Sequence, residues 1–297
     1  MIVVTGARGV VGQPLCQRLA GEASHYTSVS RQAGGSSTHS STHSSSHLQW
    51  DLSEVPSAQI EQQLSGATSL IHCAPIWLLP VHFDAFAKAG INNMVVFSST
   101  SVISKQQTVD ASEQQLVTQL SQSEDAVKRL CLSYGIRLTI LRPSLIYGYG
   151  RDQNVSHIAK FIMRFGFMVL VGKASGLRQP VHADDLVNLA LNAIDVVATE
   201  NNQQCTYNVA GKDVLSYREM VTRIFQGLKR PVRILSIPLW LFRPALALAA
   251  KVSKFSYTPE MATRMNQDMN YDYSAAVTDL GFSPQGFLEQ PERDLRP

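Results

Sequence analysis

Charge is what this sequence is short of. Only 16% of its 297 residues are Asp, Glu, Lys or Arg, against about 25% in ordinary soluble domains. The 26 basic and 23 acidic side chains leave a formal net charge of +3. That excess is too small to argue for a nucleic acid or an anionic membrane as partner, and no long Lys/Arg run exists. Cysteine is also scarce: Cys16, Cys73, Cys131 and Cys205 lie far apart with no C-x-x-C pair. A disulfide scaffold is excluded, the four read as small buried hydrophobes, and no local signature supports a catalytic thiol. No basic segment followed by an apolar stretch opens the chain, so no secretory signal is visible and the expected compartment is the cytoplasm. No apolar run reaches the ~20 residues of a membrane span. The most apolar segment, Pro238 to Ala250, is interrupted by Arg243 and Pro244 and reads as a buried or half-buried helix, with attachment to a membrane surface as the alternative. The apolar share, 44%, is ordinary and excludes wholesale disorder. Ser, Thr and Gln stand where charge is missing.

The length suits about two domains. Along the chain, short apolar runs alternate with helical patterns. Strands are expected at 2–5, 25–30, 48–52, 69–73, 94–98, 138–141 and 205–209, with helices near 57–65, 78–89, 112–134, 184–197 and 216–228. Such alternation means βαβ units and a parallel sheet. Gly34 to His47 contains only Gly, Ser, Thr and His and reads as a flexible surface loop. The chain after about residue 230 reads as mostly helical and Pro-punctuated. The expected architecture is α/β: a doubly wound parallel sheet of the Rossmann kind, residues 1–152 plus 178–229, and a smaller, mainly helical cap, 153–177 plus 230–297, closing over it.

Thr5-Gly6-Ala7-Arg8-Gly9-Val10-Val11-Gly12 follows a strand and opens a helix. Gly6 allows a tight turn, Gly9 lets the backbone approach a pyrophosphate, and Gly12 lets the helix pack close on the sheet. The helix N-terminus then offers free N–H groups to an anion. An NAD site wants a carboxylate ~20 residues further on, for the ribose 2′-hydroxyl. No Asp or Glu occurs between Glu22 and Asp51, and the second strand ends Ser30-Arg31. Arg31 together with Arg8 suits a 2′-phosphate. NADP is therefore expected in preference to NAD.

At these residues the chain resembles the extended short-chain dehydrogenase/reductase family, the NAD(P)-dependent epimerase/dehydratase group, and the resemblance runs nearly end to end. The T-G-x-x-G-x-x-G form at 5–12 is that family's fingerprint. Trp50-Asp51-Leu52 is similar to its Asp-Leu step, whose carboxylate contacts the adenine. His72-Cys73-Ala74-Pro75 is similar to its His-x-Ala-Ala segment beside the cofactor. Phe97-Ser98-Ser99-Thr100-Ser101-Val102 matches the motif of its fifth strand, and Leu141-Arg142-Pro143-Ser144-Leu145-Ile146-Tyr147-Gly148 its Arg-Pro-x-x-x-Tyr-Gly motif. Arg178 to Asp185 resembles a segment whose Arg often grips a nucleotide-sugar diphosphate. Asp272-Tyr273-Ser274-Ala275 with Leu280 to Pro284 resembles its C-terminal signature. The resemblance implies that Thr5, Gly6, Arg8, Gly9, Val10, Val11, Gly12, Arg31, Asp51, Leu52, Cys73, Ala74, Pro75, Ser98, Ser99 and Pro143 surround the cofactor. It implies Thr100, or its neighbour Ser101, as the hydroxyl holding the substrate oxygen.

The departure lies in the chemistry. The family uses a Tyr phenol with a Lys four residues on, because a phenol of pKa ~10 needs a nearby cation to work near neutrality. Aligning Glu124 with the family's Glu after that Lys puts Leu116 and Leu120 at the two positions, and no Tyr occurs between Thr100 and Ser133. Three readings stand: rearranged chemistry using Lys105 or Tyr147, a non-catalytic NADP-binding redox sensor or regulator, or hydride transfer needing only orientation. Arg178 is the candidate for a substrate anion. Arg151 lines the pocket or pairs at the surface. His39, His43 and His47 recur every four residues but sit among helix-disfavouring neighbours, and Asp184-Asp185 reads as a helix start, so no metal site is expected. The expected partner is a small-molecule substrate, nucleotide sugars included, acted on at a hydroxyl/carbonyl pair. A homodimer is admitted; no nucleic acid and no transmembrane segment are expected.

Overall fold

The computed structural model describes residues 1–32, 45–104, 110–196, 203–238 and 264–295. In chain order its strands are β1 (Ile2–Thr5), β2 (Tyr26–Ser30), β3 (Ser45–Gln49), β4 (Ser69–His72), β5 (Asn93–Phe97), β6 (Arg137–Pro143), β7 (Ile146–Tyr147), β8 (Met168–Val171), β9 (Leu177–Arg178), β10 (Val181–His182), β11 (Gln204–Val209), β12 (Leu215–Ser216) and β13 (Ile234–Ile237). The helices are α1 (Gly12–Gly21), α2 (Ala58–Leu64), α3 (Phe83–Lys88), α4 (Ser101–Ser104), α5 (Ala111–Tyr134), α6 (Val155–Phe165), α7 (Ala183–Asp195), α8 (Tyr217–Gly227), α9 (Ser274–Leu280) and α10 (Pro291–Asp294). No helix among the described residues is long and apolar enough to cross a membrane.

The chain divides into two compact units, one of Met1–Pro143, Ala183–Val209 and Tyr273–Ser283, the other of Ser144–His182, Ala210–Asp272 and Pro284–Pro297. Relative to the expected boundaries, 144–152, 178–182 and 210–229 lie in the second unit and 273–283 in the first.

The first unit holds a seven-stranded sheet in the order β11-β6-β5-β4-β1-β2-β3, every neighbouring pair parallel. The order reverses between β1 and β4, the place where doubly wound sheets open a crevice at the carboxyl ends of their strands. The central strands are buried on both faces, which is why they read as unbroken apolar runs such as Met94-Val95-Val96-Phe97. α1 packs against α7, and α5 packs against α4, β6 and the turns that follow β4. The Asp110 side chain caps α5 by accepting from the Glu113 N–H at 2.9 Å, and Gly135 ends it at φ 66°.

Two local expectations fail. The third strand is not 48–52: pairing with β2 begins at Ser45, so His47 belongs to a strand rather than to a loop. This edge strand buries only Leu48, so its sequence lacks the apolar alternation that marks a strand. Its polar side chains bond across to β2 instead, Ser46 with Thr27 at 2.7 Å and His47 with Ser28 at 3.0 Å. His39 and His43 lie outside the described residues. The single helix expected at 78–89 is two 3-10 turns, Ile76–Leu78 and Pro80–His82, followed by α3, because Pro80 lacks the N–H a continuous helix would use.

The second unit pairs β7 with β10 and β8 with β13 in parallel, and β9 with β12 antiparallel. α6 and α10 pack against α8. Tyr147, Ile162, Leu170, Val221, Phe225 and Leu288 belong to its core. Its described part is thus mixed rather than mainly helical, and residues 234–237 form a strand where helix was expected. Most of the expected helix at 238–250 lies outside the described residues.

Candidate functional site

The turn from β1 into α1 is built for glycine. Gly6 has φ 66°, and a Cβ there would stand 2.6 Å from both the Ala74 nitrogen and the Cys73 carbonyl carbon. A Cβ at Gly12 would stand 2.2 Å from the Gly6 oxygen. Gly9 closes the turn, its N–H donating to the Gly6 carbonyl at 2.8 Å. Val11 is buried, Val10 half-buried, and Arg8 and Gly9 face solvent. No side chain caps α1 and no acidic residue sits in its first turn, which leaves a concave backbone at a helix N-terminus suited to a diphosphate.

β1 and β4 are joined at their carboxyl ends. His72 is fully buried; its Nε2 lies 3.2 Å from the Pro75 carbonyl and its Nδ1 2.8 Å from the Thr5 hydroxyl. A carbonyl only accepts, so Nε2 carries the hydrogen and Nδ1 accepts from Thr5. Burial lowers the His72 pKa to about 4, outweighing the Pro75 bond, so the ring is neutral. This stitch holds the Cys73-Ala74-Pro75 backbone against Gly6. Burial pushes the Cys16 and Cys131 thiols up to about 12 and raises Cys73 as well, which removes these three as thiolates near neutrality.

The residues that end β2, Ser30-Arg31-Gln32, include no carboxylate. The Arg8 guanidinium donates to the Gln32 side chain. Arg31 is exposed, and its carbonyl receives the Gln49 amide at 3.3 Å. Asp51 takes the Ser53 N–H at 3.0 Å and the Ser53 hydroxyl at 2.8 Å on one oxygen; with the Arg31 charge, these bonds hold its carboxyl below the usual range. Leu52 is buried, and its carbonyl accepts from His82 at 2.6 Å.

Each described hydroxyl named for catalysis is engaged within its own unit. Thr100 is buried, and both its hydroxyl and its N–H donate to the Pro143 carbonyl, at 3.2 and 3.1 Å. Its proton is committed to the backbone. The Ser99 hydroxyl accepts from the Ser101 N–H at 3.1 Å and lies 3.1 Å from the Ser101 hydroxyl, a local turn at the start of α4. Lys105 lies outside the described residues. Leu116 and Leu120 pack against the apolar core under α5. Tyr147 is 1% exposed; its hydroxyl donates to the Gly286 carbonyl at 3.3 Å and accepts from the Leu288 N–H at 3.1 Å. That phenol is a packing residue of the second unit. Arg178 is corrected too: it is buried, donates to the carbonyls of Leu177 and Gln267 at 2.6 and 2.8 Å and to that of Arg264, and lies over the Tyr217 ring. A guanidinium so engaged closes a loop rather than awaiting an anion. Arg151 is exposed in a turn, its N–H donating to the Gly148 carbonyl at 3.3 Å.

One cluster was not expected. Glu124, 1% exposed, accepts from the Ser98 hydroxyl and from both Nε and a terminal nitrogen of Arg142. It ties α5 to the ends of β5 and β6. The alignment of Glu124 and the Arg-Pro pair at 142–143 were the available signals. Among the described residues no group of His, Cys, Asp and Glu could hold a metal ion. The arrangement can thus cradle a dinucleotide's phosphates, while Thr100 and Tyr147 hold their hydroxyl protons on backbone carbonyls.

The sequence model described as the NAD dependent epimerase/dehydratase family matches residues 53–210. An uncharacterized protein, y4nG, of Sinorhizobium fredii is 25% identical over 68% of this chain and 52% of its own length; the chain spans about half of that relative. UDP-glucose 4-epimerase of Vibrio cholerae is 21% identical over 97% of this chain and 92% of its own. Among solved structures, UDP-glucuronic acid 4-epimerase from Bacillus cereus in complex with NAD superposes with a TM-score of 0.74 at 16% identity, covering 99% of this chain and 94% of that one.

Proposed function

Because the chain belongs to the NAD dependent epimerase/dehydratase family, we propose that it binds a nicotinamide dinucleotide along the β1–α1 turn, in preference NADP, and exchanges hydride at a hydroxyl/carbonyl pair of a small substrate, nucleotide sugars being the class to try first. The carrying observation is the Gly6–Gly12 cradle, in which a Cβ at Gly6 or at Gly12 would collide with backbone. The bound nicotinamide supplies or accepts the hydride. The chain's own backbone from Thr5 to Gly12 binds and orients the diphosphate, and the stitched segment at Cys73 to Pro75 walls the site. Arg8 and Arg31 receive the 2′-phosphate. The nucleotide-sugar class rests on the UDP-sugar enzymes named above. With leucines at 116 and 120, the proton is exchanged with solvent or within the substrate rather than through a phenol.

Those same leucines favour a second reading, a non-catalytic NADP-binding regulator. Titration of the purified chain with NADP(H) and NAD(H), followed by incubation of the loaded protein with a panel of UDP-sugars, separates the cases. Tighter NADP(H) binding, weakened in Arg31→Ala and Arg8→Ala, supports the cofactor assignment, and tighter NAD(H) binding refutes it. A change in cofactor redox state with one sugar establishes the enzyme; binding without turnover across the panel establishes the regulator.

A further inference from the structure

The small net charge hides a strong segregation. No Asp or Glu occurs between Asp152 and Asp184, or between Glu219 and Glu260, while those two stretches carry eleven Lys and Arg residues. With a total of only +3, the rest of the chain is acidic. The two stretches meet in the second unit, where β8 and β13 pair in parallel with Leu235 beside Val169. Parallel pairing puts the approaches to both strands at the same end of the pair. One approach carries Arg164, Phe165 and Phe167; the other carries Arg230, Val232 and Arg233. The Met168 N–H donates to the Arg233 carbonyl at 2.9 Å, which fixes the two approaches side by side.

This end is apolar as well as basic. Phe165, Val232 and Leu235 are 40%, 46% and 56% exposed. The Phe161 and Phe165 rings stand 4.6 Å apart, and the Arg164 guanidinium lies 5.1 Å from the Phe165 centroid. Lys160, Arg164, Arg230 and Arg233 are exposed, and among the described residues none of the four pairs with a carboxylate. In sequence, β13 runs directly into Pro238 to Ala250, the most apolar stretch of the chain. A bare polyanion needs only the charges. Exposed aliphatic and aromatic side chains set among arginines match a bilayer interface, where cations meet anionic headgroups and apolar tips enter below them.

We propose that this end of the β8–β13 pair docks on an anionic phospholipid surface, its arginines on the headgroups and Phe165, Val232 and Leu235 in the interface. The attachment is peripheral and reversible, and weakens with salt, because exposed charges are screened beyond ~8–10 Å at ordinary ionic strength. The test is co-sedimentation of the full chain with vesicles of phosphatidylglycerol and phosphatidylcholine, against vesicles of phosphatidylcholine alone. The expected result is pelleting with the anionic vesicles only, weakened on the order of tenfold or more in R164Q/R230Q/R233Q and also weakened in F165S/L235S. Far-UV circular dichroism and a thermal melt check that each variant is folded; the arginine variant, altered only at exposed positions, carries the test if the apolar one is not. No pelleting with anionic vesicles, or pelleting unchanged in the arginine variant, overturns the proposal. Displacement from vesicles by duplex DNA, with F165S/L235S behaving as wild type, also overturns it by assigning the surface to polyanions.

Discussion

The Thr5 hydroxyl donates to Nδ1 of His72 at 2.8 Å, joining the carboxyl ends of the two strands between which the sheet order reverses. The bond is local in space and remote in sequence, and it makes the switch point a fixed wall rather than a gap. Thr5→Val should leave the His72 Nδ1 buried and unpaired, at a cost of about 1–3 kcal/mol. Urea denaturation at neutral pH measures it; a variant as stable as the parent would show that the stitch contributes nothing.

The same histidine predicts a pH dependence. Its folded-state pKa is about 4, below the ~6.5 of an unfolded imidazole, so on acidification the unfolded chain binds the proton first. The stability from burying the neutral ring is complete above about pH 6.5 and is lost as pH falls toward 4, on the order of 3 kcal/mol in all. His72→Asn should flatten the stability profile through that window. Equal slopes for the two proteins would mean that another group sets the acid limb.

Gly12→Ala is expected to abolish dinucleotide binding, since the added methyl would stand 2.2 Å from the Gly6 oxygen. Fluorescence titration with NADPH reads the loss. Gly21→Ala, at a position with nothing nearby for a Cβ to meet, is the control and should bind as the parent does.

Glu124→Ala removes the acceptor for both Ser98 and Arg142 and leaves a guanidinium short of its counter-charge. Breaking a buried pair from one side costs about 3–5 kcal/mol. Glu124→Gln keeps an acceptor for Ser98 and should lose less. If the two variants melt alike, the carboxylate charge is not what holds α5 to β6.

Tyr147→Phe removes a hydroxyl that both donates and accepts inside the second unit. The expected effect is a loss of about 1–2 kcal/mol with NADPH affinity unchanged. A stable variant with altered cofactor affinity would return Tyr147 to the site.

Much of the first unit was legible because its signals are local. The turn into α1 shows in sequence since only glycine fits positions 6 and 12, and α5 shows through the helical spacing of Leu116, Leu120, Val127 and Leu130, of which Leu120 and Val127 are buried. β3 was expected three residues too late because an edge strand whose side chains mostly face water has little apolar alternation to mark its start. The site residues fared less well for a different reason. Arg178 looked available, yet the carbonyls that occupy it come from Arg264 and Gln267. Tyr147 looked poised, yet its partners are at 286 and 288. Residue type and spacing reveal what a side chain can bond; they do not reveal which distant backbone has already claimed it.

The chain crosses between its two units five times, and this bears on how the protein is made. Unit one is finished by α9, which Asn192 holds through the Leu280 carbonyl at 3.0 Å and Tyr207 through Asp279 at 3.0 Å. Synthesis proceeds from the N-terminus, so six strands of the sheet emerge long before the helix that completes their unit. A nascent chain or gene fragment ending before Tyr273 holds all seven strands without that closing helix. Neither unit can be cut out as one continuous stretch of coding sequence, and because the six segments alternate around the whole chain, no circular permutation makes either unit continuous.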